Sequence, residues 1–422
     1  MVSIILFLLT TSVGGFFFYK SIAKIRRNIN MGKPLDRSDN PKLRLKTMTL
    51  VALGQSKMVT RPIAGFFHIL IYVGFVLINI EVFEILLDGI FGQHRLFQNA
   101  LGNIYPIAIG FFEILAFLVI VACIVFLFRR NVSKVKRFSG TEMKGFPLFD
   151  ANAILYTEIV LMLALLIMNA TDASLLANMP ISGWLKPMFS HMAPNTLHII
   201  MEICWWFHWI GILVFLNYVP YSKHFHIIMA FPNTYYSNLE PKGKVENMTS
   251  VTTEVKLMLN PNAVPPENYE SPLGFGAKDV TDLTWKNLMD AYSCTECGRC
   301  TSVCPANITG KLLSPRKIMM DTRDRLEELG NAKDKYGKYF YDDKSLHDRT
   351  SAEELWACTT CNACAEACPI NISPVDIIMQ MRQYQVMELS AAPSELNGML
   401  TNLENNGAPW KFSPSDRGNW SN

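Results

Sequence analysis

The residues best equipped for chemistry in this 422-residue chain are its cysteines, eight of whose ten fall in two compact runs. Cys294-x2-Cys297-x2-Cys300-x3-Cys304-Pro305 recurs as Cys358-x2-Cys361-x2-Cys364-x3-Cys368-Pro369. Three closely spaced thiolates can cap three irons of one cubane, while a fourth, turned away by the proline after it, reaches the other cluster. The spacing therefore predicts two [4Fe-4S] clusters, one on Cys294, Cys297, Cys300 and Cys368, the other on Cys358, Cys361, Cys364 and Cys304. Paired CxxC segments also hold tetrahedral zinc, but zinc sites rarely show four cysteines at this spacing, twice, each ending in proline. Cys123 and Cys204 stand singly in apolar stretches, so no disulfide framework is expected. Ligand cysteines must stay reduced until they are metallated, which favours the cytoplasm for this part of the chain.

The elements that must position these clusters divide sharply by composition. Half of the residues are hydrophobic, and the long apolar runs lie before Phe231, whereas the chain after Pro241 has ordinary soluble composition. Five stretches, near 3–20, 62–87, 105–128, 152–172 and 196–219, reach the roughly 20 residues that a helix needs to cross a bilayer. The first lacks a basic start and a small-residue cleavage site, so it is expected to be an uncleaved anchor. Basic residues crowd two loops, from Lys20 to Arg61 and from Arg129 to Lys144, while the other two offer Arg95 and Lys186. This asymmetry puts the N-terminus outside and everything after the fifth span in the cytoplasm. A net charge of +3 gives no argument for nucleic acid.

After the first cysteine run, Ser314-Pro315-Arg316 opens a helical pattern through Leu329 with Gly330 as its C-cap. A second helix should follow Ser373-Pro374. The expected fold is all-α: a five-transmembrane-helix bundle plus a cytoplasmic, α-helical two-cluster ferredoxin-like domain. Residues 1–230 form the membrane domain, 231–285 a proline-punctuated linker with Pro261 and Pro272 among its prolines, 286–390 the cluster domain, and 391–422 a docking tail. Trp410 and Trp420 are candidate anchors for a partner.

Three histidines lie where a haem can use them: His68 near the cytoplasmic end of the second span, His208 at mid-depth on the fifth, and His226 just beyond it. The 18 residues from His208 to His226 amount to five turns at about 3.6 residues per turn, so both face one side if the helix runs on past Pro220. The segment from His208 through Pro220-Tyr221-Ser222-Lys223-His224-Phe225-His226 resembles the five-helix cytochrome b subunits of nitrate reductase (the gamma subunit) and heterodisulfide reductase (the E subunit). The cysteine domain resembles the C-subunit type of heterodisulfide reductase. The resemblance implies a fusion of the two, with His68 and His226 around one haem b near the cytoplasmic face. The family's second haem would need a histidine at the position of Ile78, which leaves His208 without its partner: one haem is expected, with His208 as the candidate ligand for a second.

Glu81, Glu113, His198 and Glu202 lie toward the outer ends of their spans, at similar depth by helix rise. Buried acids and an imidazole suit the proton exchange of a quinone site, or they salt-bridge one another. By resemblance the chain is a multi-pass subunit of a menaquinone-linked oxidoreductase in a bacterial inner membrane. Its expected partners are a cysteine-rich CCG-domain subunit and an electron-transferring flavoprotein. Two other readings stay open: a haemless membrane-anchored ferredoxin-type relay, and an ion-translocating redox module. No nucleophile, nucleotide loop or flavin motif appears, so no catalytic residue is assigned.

Overall fold

The computed structural model describes residues 1–175, 179–245, 247–260, 262–266 and 274–421; the linker prolines Pro261 and Pro272 lie outside the described residues. The protein is helical throughout, with no strand among the described residues. Five helices are long and apolar enough to cross a membrane: Val2–Ile29, Pro62–Phe91, Ile104–Asn131, Phe146–Thr171 and Pro194–Tyr221. Each is longer than the roughly 20 residues a bilayer requires. Proline opens the second and fifth, where its missing N–H costs nothing and its fixed φ suits the first turn. Their outward faces carry large apolar side chains such as Phe66, Ile107 and Val214, more than half exposed. Such a surface suits contact with lipid rather than water.

Inside the bundle, the third span packs between the second and fourth through Leu115, Ala116, Val119 and Cys123. Phe7 of the first span stacks on Trp209 of the fifth with ring centroids 4.6 Å apart, and it fills the space beside Gly89 of the second. One glycine thus lets three spans meet.

The fifth helix ends at Tyr218 and is followed by 3-10 turns over Val219–Tyr221 and Lys223–Phe225, before a new α-helix starts at His226 and runs to Tyr235. The continuous helix expected through Pro220 is therefore not formed. Pro220 is tolerated because it falls in the opening positions of a 3-10 turn, and the Ser222 hydroxyl accepts the backbone N–H of His224 at the next one.

The C-terminal domain is built on Trp285–Ser293, Pro315–Tyr336 and Pro374–Met387. The second of these does not stop at Gly330, as its sequence pattern predicts, but continues to Tyr336 and is capped by Gly337 at φ 102°. Gly330 is a packing position instead: a Cβ there would sit 2.5 Å from Oδ1 of Asn28, at the end of the first span. The stretch expected to be linker is folded at both ends. It opens in the Tyr235 helix and closes with Ala277, Val280 and Leu283 fully buried in the core of the cluster domain.

This domain is docked on one end of the bundle by buried polar contacts. Asn28 Nδ2 donates to Tyr292 Oη at 3.0 Å, Lys33 pairs backbone to backbone with Leu283 and Trp285, and the Arg316 guanidinium reaches Glu142 at 2.6 Å. In the tail, Ser394–Asn406 is helical, and Trp410 and Trp420 are 51% and 88% exposed.

Candidate electron-transfer site

The two cysteine runs share a backbone as well as a spacing. Glu296 and Thr360 sit at φ 53° and 54°, and Gly298 and Asn362 at φ 69° and 58°, so equivalent residues of the repeat take the same left-handed turns. Glycine or asparagine at the second position is what that conformation favours. Each loop leads into a short helix, Arg299–Val303 or Ala363–Ala367, that carries the third cysteine.

The runs are interleaved. Cys300 has Cys297, Cys294 and Cys368 as its electrostatic neighbours, with Cys364 further down the order, while Cys358 and Cys364 have Cys304 and Cys361. The fourth cysteine of each run thus lies beside the first three of the other. Burial pushes the Cys294 and Cys364 thiols up to about 12 and Cys368 to about 11, and neighbouring thiols add to the effect. Such a set becomes stable as thiolates only when cationic iron compensates the charge. Among the described residues no three side chains converge as a single-ion site. Cys294, Cys297, Cys300, Cys364 and Cys368 instead line one shared cavity. The donor set fits iron-sulfur clusters, and their carbonyl surroundings are cationic: Lys57 Nζ donates to Cys368 O at 3.2 Å and Arg382 to Cys358 O at 2.6 Å.

Two of the sequence-predicted histidines meet at the same end of the bundle. The His68 and His226 rings lie with centroids 6.4 Å apart, tilted 39°. His226 Nδ1 donates to Lys223 O at 3.0 Å, which fixes its tautomer and leaves Nε2 free. His68 Nδ1 is buried without a hydrogen-bond partner. A third histidine, His224, joins them with its ring 5.6 Å from His226. Burial lowers the pKa of both His224 and His226, favouring the neutral imidazole that can ligate a metal. His208 lies apart, 1% exposed, its Nδ1 donating to Leu161 O at 3.1 Å. It lines a separate cavity together with Ile78.

Contacts join the histidine pair to the first cysteine run by two routes. Lys223, whose carbonyl orients His226, extends its Nζ to Glu296 Oε2 at 2.6 Å, between Cys294 and Cys297. Arg299, between Cys297 and Cys300, donates to Lys57 O at 2.7 Å and to Met58 O at 3.4 Å. Met58 O in turn sits against Gly65, three residues before His68, where a Cβ would approach it to 2.5 Å. Sequence reasoning missed His224, Lys223, Glu296 and Arg299. The last two were visible only as residues inside the cysteine runs.

The four groups assigned to quinone or proton chemistry do not form one site. Glu81 pairs with Arg95 at 3.3 Å, Arg95 continues to Asp172 at 3.1 Å and Asn169 at 2.6 Å, and Asn169 donates to Glu113 at 3.1 Å. The other Glu113 oxygen accepts the backbone N–H groups of Ile181 and Ser182. These acids belong to a buried network that ties the second, third and fourth spans to the loops at the far end. His198 and Glu202 are 3.9 Å apart with side chains 65% and 61% exposed, on the outer surface of the fifth span.

Fold and site together define a helical, membrane-type protein bearing a domain for two [4Fe-4S] clusters, an oxidoreductase component that carries electrons. Residues 293–372 match the family model of the 4Fe-4S dicluster domain. The chain is 29% identical, over 99% of its length and 60% of the relative's, to a probable iron-sulfur-binding oxidoreductase, FadF, of Bacillus subtilis. It is 26% identical to the EtfAB:quinone oxidoreductase of Syntrophomonas wolfei over 92% of this chain and 55% of that one. An iron-sulfur relative of shorter overlap, from a CoB-CoM heterodisulfide reductase of Methanosarcina acetivorans, is 34% identical over 24% of this chain and 49% of its own. The chain thus spans little more than half the length of the first two relatives. No solved structure matches it.

Proposed function

We propose that this protein relays electrons across the surface of a bacterial cytoplasmic membrane, between a cytoplasmic partner and menaquinone, through two [4Fe-4S] clusters and one haem b. The partner is a CCG-domain protein or an electron-transferring flavoprotein. The observation that carries the reading is the pair of contact routes, Glu296–Lys223–His226 and Arg299–Met58–Gly65, from the first cysteine run to the histidine pair. They bring two redox-capable donor sets to one end of the bundle.

The His68 and His226 pair fits a haem on distance. A metal–imidazole bond of about 2.0 Å and a ring half-width of about 1.1 Å put two trans imidazoles about 6.2 Å apart, against 6.4 Å here. His226 also has the backbone acceptor that ligating histidines commonly use to fix the ring. When bound, the haem supplies one-electron chemistry. The chain holds His226 through Lys223, keeps His68 buried, and places cationic Lys57, Arg299 and Lys223 around the first cluster, where positive charge favours its reduced form. The relative named EtfAB:quinone oxidoreductase supports both the quinone and the flavoprotein assignments. The Lys- and Arg-rich loops support a cytoplasmic cluster domain.

A reduced-minus-oxidised spectrum of the purified protein tests the reading. The expected result is a b-type α-band that appears on adding menadiol, together with about eight irons per chain beyond the haem. Eight irons without that band would leave the haemless relay.

A further inference from the structure

Within the membrane half lies a cavity of about 310 Å³, bounded by the second to fifth spans and the start of the 226–235 helix. Its volume is at the lower end of small-molecule sites, which run about 300–1,000 Å³. The lining is mostly isoleucine, leucine, valine and phenylalanine, with three polar exceptions: His208, Glu158 and Asn79. The geometry points to this cavity as the quinone site of the protein, with His208 and Glu158 as the proton-exchanging groups, a deepening that rests on the function proposed above.

The polar groups decide the occupant. His208 commits its Nδ1–H to Leu161 O, so its Nε2 is an acceptor. Glu158 makes no hydrogen bond or ion pair among the described residues, though it sits 12 residues inside the fourth span. A carboxyl group left alone at that depth is costly and marks a place where a polar ligand or a proton belongs. A haem in the same space would need axial ligands, and beside His208 the lining offers the thioether of Met162 but no second imidazole. A quinol needs neither. One hydroxyl donates to His208 Nε2 and the other faces a carboxylate, while the prenyl tail takes the apolar wall.

Access and connection agree. Asn79 is exposed and Ile228 is 39% exposed, so the cavity meets the outer surface of the bundle where lipid would lie. At its other end it reaches Ile71, one turn beyond His68, and Ile227, which follows His226. On oxidation of a quinol both O–H bonds break, one proton passes to His208 Nε2 and one to the Glu158 carboxylate, and two electrons leave one at a time for the haem. Reduction of a quinone runs the same exchange backwards.

The test uses the purified full chain in detergent, with 2-heptyl-4-hydroxyquinoline N-oxide as a fluorescent quinol analogue and menadiol as electron donor. The expected result is that His208→Leu weakens analogue binding more than tenfold, while His208→Gln, which keeps a hydrogen-bonding group, restores part of it. Glu158→Gln should slow haem reduction by menadiol more than it weakens binding. The b-type absorbance and iron content per chain should match wild type in all three. A loss of b-type absorbance in His208→Leu would make the cavity a haem site and overturn the proposal. Unchanged binding in His208→Leu, with wild type still binding and still reduced, would place the quinone elsewhere and leave the relay standing. A wild-type protein that neither binds the analogue nor is reduced by menadiol would sink the relay reading itself.

Discussion

Lys223 Nζ lies 2.6 Å from Glu296 Oε2, and both side chains are buried where the cluster domain meets the membrane bundle. Burial pulls the Lys223 ammonium below its ordinary pKa, against the opposing pull of Glu296. Burial also acts against the Glu296 carboxylate, yet Lys223 and Arg323 hold it below the usual range. Both groups thus keep their charges, and each is the other's counterion. Removing one member of such a pair is strongly destabilising, by about 3–5 kcal/mol, because the other is left buried and uncompensated. Lys223→Met should therefore lower the thermal midpoint of the cluster domain and also lower the potential of the first cluster, which loses a nearby cation. Thermal unfolding and a redox titration read the two effects. In the double variant with Glu296→Gln much of the lost stability should return, since no charge is then left unpaired.

The interleaving of the cysteines predicts crossed losses. Cys368 belongs to the second run but neighbours Cys300 and Cys297 of the first. Cys368→Ser should therefore remove or degrade the cluster on Cys294, Cys297 and Cys300, and Cys304→Ser the other one. Each variant is expected to retain about four irons as an intact [4Fe-4S] cluster. Electron paramagnetic resonance distinguishes the two if their reduced spectra differ. Loss of the second-run cluster in Cys368→Ser would show that each run holds its own cluster.

Three histidines share one neighbourhood, and they should not be equivalent. His226 has its Nδ1 fixed by Lys223 O and its ring 6.4 Å from His68, whereas His224 is 5.6 Å from His226 at 68° and its Nδ1 has no partner. His68→Leu and His226→Leu should each abolish the b-type α-band while the iron-sulfur absorbance stays. His224→Leu should keep the band, because its ring is too close to His226 for both to ligate one metal from opposite sides. A band lost only in His224→Leu would reassign the ligand.

The cysteine runs and the five spans were legible in the sequence because their signals are local: a fixed spacing within ten or so residues, and apolar runs longer than a bilayer needs. What was not legible depends on partners far along the chain. Gly330 reads as a helix cap but is a packing site for Asn28, about three hundred positions earlier. Lys223 and Glu296 are 73 residues apart. The helix past Tyr218 breaks where even spacing of His208 and His226 suggested continuity, and the break is what turns His226 toward His68. Glu158, lining the cavity with His208, attracted no notice because a single carboxylate in a span carries no spacing signal.

The far end of the bundle yields a last prediction, because the acids there have an arginine to explain them. Arg95 is 4% exposed and reaches Glu81, Asp172, Asn169 and Tyr105, while its own backbone N–H is accepted by Asp88. In sequence it was only a rare basic residue in an outer loop. A guanidinium suits this position because it presents several donors in a fixed fork and stays charged when buried. Arg95→Leu strands at least two buried carboxylates, Glu81 and Asp172, and should cost several kcal/mol of stability in detergent. Glu202→Gln and His198→Leu alter an exposed pair of the kind that contributes about 0–1 kcal/mol, so neither should move the thermal midpoint measurably. Menadiol-driven reduction should also survive both of these exposed variants. If Glu202→Gln stopped that reduction while the protein remained folded, the quinone would bind near the outer surface of the fifth span and not at His208.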